Sequence, residues 1–205
     1  MVSDVVDGRL FGEAFVTLFV IMDPPGTVPI FLSLTASMAP AARRRAARQA
    51  VLVAFSVIVA FAAFGQRILD YLHITLPALQ TAGGLLLLLV ALQLLTGQEE
   101  EPASRPDVNV ALVPLGTPLL AGPGAIVATM VFVQQCEDVA DYVAVVLAIV
   151  AVHLCLFLFM CFAGVIHRVL GQSGVTLVTR IAGLLLSAIA VQLIADAVRA
   201  FVESG

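Results

Sequence analysis

The residues best placed to do chemistry lie in the stretch VIMDPPGTVPIF, residues 20–31, where an acid and three prolines interrupt an apolar run. Asp23 is the one carboxylate well inside that run. A carboxylate is costly in an apolar environment, so its presence predicts a functional group. It could take up a proton, bind a cation or a substrate ammonium, or cap a following helix through the N–H of Gly26 or Thr27.

The elements that must position this acid are membrane-spanning helices. Apolar residues make up 61% of the chain and charged residues 12%, against about 45–50% and about 25% in soluble domains. The net charge of −4 argues against a nucleic-acid partner. A span needs about 20 apolar residues. Six runs meet that length, at 10–37, 48–70, 76–96, 109–133, 139–165 and 175–200.

Basic residues predict the orientation of these spans. The segment PAARRRAARQ between the first two spans holds four arginines, at 43, 44, 45 and 48. Arginine clusters favour the cytoplasmic side. Alternation then places both termini and the acidic segment 136–141 outside.

Two blocks of sequence recur at nearly one offset and indicate a duplication. Residues 80–95 and 179–194 are identical at seven of sixteen positions, including Gly84/Gly183 and Gln93/Gln192, at an offset of 99. DPPGTV at 23–28 aligns with AGPGAI at 121–126, at an offset of 98. Three spans in each half make the predicted repeat an inverted one, as in many transporters.

Proline and glycine sit in the first span of each half, at 23–29 and 114–124, so neither segment is expected to be a continuous helix. Irregular backbone at membrane depth must be buried in protein or line a water-filled cavity. The two breaks should therefore meet and expose half-helix ends, which suit both charges of a zwitterion. The predicted substrate-binding residues at the breaks are Asp23, Pro24, Gly26, Thr27, Thr117, Gly122, Gly124 and Ala125.

Other polar residues of the spans have two open interpretations each. Thr129 could present a hydroxyl to the ligand or bond to its own helix. Gln80 could contact ligand or join helices, and Arg180 could hold a substrate carboxylate or reach the interface. His153, in the middle of a span, could relay protons or stay neutral and hydrogen-bonded. No cluster has metal-site spacing and no nucleophile is paired with a base, so neither a metal, a cofactor nor an enzyme is predicted.

Three motifs, DPPGTVPIFLSLT, VPLGTPLLAGPGAIVATM and TRIAGLLLSAIAVQLI, resemble signatures of the MarC family of bacterial inner-membrane proteins. The resemblance covers residues 10–198 and implies six spans in a repeated architecture, similar to the LysE-type exporters. One branch of the family is assigned to transport of small neutral amino acids such as glycine and alanine. Two positions depart from the usual family pattern: Asp23 replaces an asparagine and Gln80 replaces an arginine.

The sequence thus predicts an all-α membrane protein of six transmembrane helices, with repeats at 1–96 and 109–205 joined by a cytoplasmic loop at 97–108. The predicted function is secondary transport of a small neutral amino acid, driven by H⁺ or Na⁺, with Asp23 and His153 as candidates for the coupling site. A passive channel, or an exporter of another small metabolite or drug, is the alternative. Expected partners are the lipid bilayer, a small-molecule substrate and a second copy of the chain.

Overall fold

The structure is a computed structural model that describes residues 6–97 and 121–203. These residues form helices alone, and all of the remaining backbone is turn or short connection. In chain order the helices are α1 (Gly8–Met22), α2 (Pro24–Leu34), α3 (Pro40–Leu72), α4 (Leu76–Thr96), α5 (Pro123–Gln134), α6 (Val139–Cys161) and α7 (Ala163–Glu203).

Five of the predicted spans are long and apolar enough to cross a membrane in the described parts of the chain. They are α1 and α2 taken together as Gly8–Leu34, then α3, α4, α6 and α7. The predicted span 76–96 coincides with α4, and the span 139–165 begins where α6 begins. Only the second half of the span 109–133 lies within the described residues, as α5. The first half of that span and the predicted loop 97–108, except Gly97, lie outside them.

The break in the first span is shorter than the sequence predicts. Asp23 alone leaves the helical conformation, with φ 39° and ψ 68°, while Pro24 and Pro25 open α2 and Pro29 lies inside it. Proline is tolerated in a first helical turn because its missing N–H has no partner there in any case. The three prolines therefore redirect the chain at one residue without unwinding 23–29.

The α4–α7 pair is antiparallel and closely packed through small residues. A Cβ on Gly84 would approach the carbonyl oxygen of Ala190, whereas a Cβ on Gly183 would approach the carbonyl oxygen of Ala91. As the residue number rises along α4, the number of the residue it contacts on α7 falls. Small residues let membrane helices approach this closely.

The remaining helices pack on one another beside this pair. Phe19 of α1 meets Phe159 of α6 edge to face, with ring centroids 6.2 Å apart. α3 packs on both α5 and α6. Arg43, at the start of α3, donates to the carbonyl oxygen of Thr35 at 3.2 Å and so ties α3 to the end of α2.

The connection between the last two spans is helical except for one residue. Phe162 ends α6, α7 begins at once, and Gly171 interrupts α7 with φ 64° and ψ 178°. That conformation is essentially restricted to glycine. Residues 163–170 consequently form a short helical segment that leaves the direction of the long remainder of α7.

Candidate functional site

The two half-helices that follow the breaks begin in the same way. α2 starts at Pro24 after Asp23, and α5 starts at Pro123 after Gly122. They have 11 and 12 residues, and proline lies in the first turn of each. The aligned glycines Gly26 and Gly124 thus occupy the first turns of two similar short helices.

Both breaks adjoin the same buried region. Val20 of α1 belongs to a cluster with Leu87 and Ala91 of α4 and Leu186 and Ala190 of α7. Leu87 is also the side chain that a Cβ on Gly124 would meet.

A second cluster contains residues from both sides. Met22, directly before the first break, and Ala121, directly before Gly122, are both buried in it. The residues that precede α2 and α5 therefore belong to one continuous core.

Hydrogen bonding differs between the two half-helix ends. At α2 the prolines have no N–H, the Gly26 N–H donates to Oδ1 of Asp23 at 3.2 Å, and the Thr27 N–H donates to the Asp23 carbonyl oxygen at 3.1 Å. At α5 the cap residue Gly122 offers no side-chain hydrogen bond. The capping role for Asp23 is thus present, and the Gly26 N–H is already engaged by it.

Asp23 is buried, with 8% of its surface exposed. Its conformation is left-handed, a region that Asn and Asp enter more readily than other residues with a side chain. A Cβ on Gly26 would collide with the Asp23 carboxylate, so glycine is required at that position for the cap to form. Asp23 and Gly26 therefore depend on one another geometrically.

The two threonines behave differently. Thr27 donates its hydroxyl proton to the carbonyl oxygen of Pro24 at 2.7 Å, the helix-bonded alternative. Thr129 is fully buried in α5, and its hydroxyl oxygen has no hydrogen-bond partner within residues 6–97 and 121–203. Of the two, Thr129 retains an unused hydroxyl. Thr117 lies outside the described residues.

Gln80 is buried between helices, whereas Arg180 is exposed. Gln80 is 9% exposed and shares the buried face of α4 with Gly83, Gly84 and Leu87. Ala125 is buried in the core cluster next to the second break. Arg180 is exposed on α7, which fits the interfacial alternative better than a role at the breaks.

His153 is buried in α6 at 3% exposure, edge to face with Phe55 of α3 at a centroid distance of 5.2 Å. Its Nδ1 lies 2.7 Å from the carbonyl oxygen of Ile149, and its Nε2 is buried with no hydrogen-bond partner in the part of the chain that the structure describes. A carbonyl oxygen only accepts, so Nδ1 carries the proton in the neutral ring.

The contact residues Phe55, Gly83 and Leu87 were missed by sequence reasoning, although Gly83 stands beside a repeat glycine. Gly83 lets α4 approach Val127 of α5, as Gly124 lets α5 approach Leu87. The adjacent glycines Gly83 and Gly84 inside a leucine-rich span were the sequence feature that could have indicated this close helix contact. Over the two described ranges, no group of three or more His, Cys, Asp or Glu residues is arranged to hold a metal ion.

These observations define an integral membrane protein that crosses the bilayer several times and has an interrupted first span. The model of the MarC family of integral membrane proteins matches residues 8–202, and the chain belongs to that family. No solved structure matches the chain significantly.

Similar proteins occur in archaea and bacteria. A UPF0056 membrane protein of Methanocaldococcus jannaschii is 39% identical over 201 residues, covering 95% of this chain and 98% of that protein. The UPF0056 membrane protein YvbG of Bacillus subtilis is 34% identical, with coverage of 89% and 90%. YhcE of Escherichia coli is 28% identical, with coverage of 97% and 96%. Each similarity extends over nearly the full length of this chain.

Proposed function

We propose that the protein is a secondary transporter of small neutral amino acids such as glycine and alanine, and not an enzyme. The observation that carries the proposal is the placement of α2 and α5, whose proline-opened first turns adjoin the same central region. Interrupted helices near the membrane midplane supply binding sites in many secondary transporters, because their ends present unpaired backbone groups.

The start of α2 and the start of α5 bind the two opposite charges of a zwitterion. Asp23 brings the negative charge and suits the ammonium group. The Gly26 N–H is engaged by Asp23, so the substrate carboxylate belongs at the start of α5, where Gly122 supplies no competing side-chain cap. The Asp23 carboxylate already lies beside Gly26 and Leu87 lies beside Gly124, so only a small ligand would fit between these two ends.

The arrangement of two inverted repeats is part of this proposal. Gly84 and Gly183 are equivalent positions of the duplicated sequence, and so are Ala91 and Ala190. Each glycine meets the alanine of the other repeat across the antiparallel α4–α7 pair. Reciprocal contacts of this kind are what a two-fold axis in the membrane plane produces, and α2 and α5 are the matching half-helices.

A panel of labelled amino acids presented to proteoliposomes tests the function. We expect glycine or alanine to accumulate above the external concentration when an inward H⁺ or Na⁺ gradient is imposed, and to leak out when it is dissipated. Equilibration without accumulation would identify a passive channel. Entry of no amino acid beyond the level of protein-free liposomes would contradict the proposal.

The proposed orientation places Cys136, between α5 and α6, on the outer face of a plasma membrane. Burial, and next the carboxylates of Asp141 and Asp138, raise the pKa of the Cys136 thiol, so less of the reactive thiolate is present at neutral pH. In a variant lacking Cys155 and Cys161, we expect a membrane-impermeant maleimide to label Cys136 in intact cells, faster as the pH rises. Asp141→Asn should speed labelling about twofold, because the interaction energy of one exposed charge pair corresponds to a factor of that size. Labelling that requires permeabilised cells would reverse the orientation.

A further inference from the structure

His153 holds a polar atom that the fold leaves unused. The Nδ1–H donates to the Ile149 carbonyl oxygen, and the lone pair of Nε2 points into packed protein where no donor from the described residues meets it. Leaving a buried acceptor unsatisfied destabilises the folded protein. A histidine serving only to pack would be expected to have both nitrogens bonded, so the bare Nε2 needs another explanation.

The position of His153 in the repeat is also unusual. His153 and the residue it contacts, Phe55, are 98 residues apart, the offset that relates DPPGTV to AGPGAI. The two residues therefore occupy matching places in the proposed repeats, to within the one residue by which the two block offsets, 98 and 99, differ, and they touch one another across α3 and α6. A contact between matching places lies close to the two-fold axis, and an axis in the membrane plane runs through the middle of the bilayer.

The charged groups on the surrounding helices leave Nε2 without a partner. α2 and α5 hold no titratable side chain, α1 holds the mutually paired Arg9 and Glu13, and Asp23 follows α1. α3 carries ionic residues between 43 and 48 and at Arg67 and Asp70. α7 carries them in its first turns and also at Arg180, Asp196, Arg199 and Glu203. None of these hydrogen-bonds to His153 or forms an ion pair with it.

We propose that Nε2 of His153 is the proton-binding site that couples transport to a proton gradient. The neutral ring takes up one proton at Nε2 while Nδ1–H stays on the Ile149 carbonyl, and the imidazolium returns that proton on the other side of the membrane. This inference rests on the proposed function and names its driving ion. It also leaves the Asp23 carboxylate to its cap and to the substrate.

His153→Gln separates coupling from binding, because glutamine keeps a donor and an acceptor but does not titrate. We expect proton-driven accumulation of alanine to be lost while exchange of internal for external alanine, measured without a gradient, persists. The control is His73→Asn, at the left-handed C-cap of α3, a conformation asparagine tolerates. The control should match the unaltered protein in both assays. Undiminished accumulation by His153→Gln, or equal loss of accumulation and exchange in folded protein, would overturn the proposal.

A second measurement does not depend on transport. In a His73→Asn, His167→Asn background, nitrogen-15 NMR of the histidine side chain reports on His153 alone. We expect the Nε2 signal to move from that of a bare to that of a protonated nitrogen as the pH is lowered. An Nε2 that stays bare throughout would refute the proton site even if transport is observed. An Nε2 that titrates in a protein that transports no amino acid would support the proton site and reject the substrate assignment.

Discussion

Gly84→Ala is expected to destabilise the protein by about 1–3 kcal/mol, the usual cost of inserting atoms into a packed contact. The new Cβ would lie 2.7 Å from Cγ1 of Ile194 and 2.9 Å from the carbonyl oxygen of Ala190. A side chain can rotate away, but a backbone carbonyl moves only if α7 moves. Relief therefore requires α4 and α7 to separate along their shared crossing.

The equivalent substitution in the second repeat should have a smaller effect in the same direction. A Cβ on Gly183 would lie 3.0 Å from Cβ of Leu94 and 3.2 Å from the carbonyl oxygen of Ala91. The measurement is the free energy of unfolding in mixed detergent micelles.

Gly12→Ala in α1 is the matched control. Nothing lies within 4 Å of its Cβ position, so alanine should leave stability unchanged or raise it by up to about 1 kcal/mol. Equal stability of the Gly84→Ala and Gly12→Ala proteins would mean that α4 and α7 are not in close contact.

The second large effect is expected from Asp23→Asn, which should abolish amino-acid accumulation and leave the fold intact. Asparagine caps helices about as well as aspartate and is among the residues that tolerate the left-handed conformation. The cap on Gly26 and the turn into α2 should therefore survive the change. The negative charge proposed to hold the substrate ammonium would be gone.

Comparison with Asp23→Ala separates the effect of losing the negative charge from the effect of losing the helix cap. Alanine loses the cap, at about 0.5–2 kcal/mol, and is poorly suited to φ 39°, so this variant should lose both accumulation and stability. Parallel uptake and unfolding measurements on the two variants give the comparison. Wild-type accumulation by Asp23→Asn would show that the charge plays no part in transport, and the carboxylate would then be a structural cap.

The sequence predicted the helical class, the positions of five of the six spans and the location of the first break. Hydrophobic run length and proline placement act locally, so they can be read residue by residue. The sequence did not predict how many residues the first break contains. Three closely spaced prolines predicted an irregular 23–29, whereas two of them fit a helix start, leaving Asp23 as the single turning residue.

The candidate site was less predictable, because its properties depend on contacts between distant residues. The use of the Gly26 N–H by Asp23 depends on the side-chain orientation set by φ and ψ at Asp23. The exposure of Arg180 depends on which face α7 turns to α4. The bare Nε2 of His153 depends on how its ring packs between α6 and Phe55 of α3, which no local pattern encodes.

The central claim is that the two helix breaks form one binding site for a small amino acid. The sequence contains the dipeptide Pro-Gly twice, at Pro25–Gly26 and Pro123–Gly124. Carbonyl-carbon-13 proline combined with nitrogen-15 glycine therefore yields two amide NMR signals, one from each break. We predict that both signals shift as alanine is added and that they share one midpoint. Two signals that stay fixed at alanine concentrations that saturate uptake would contradict the claim.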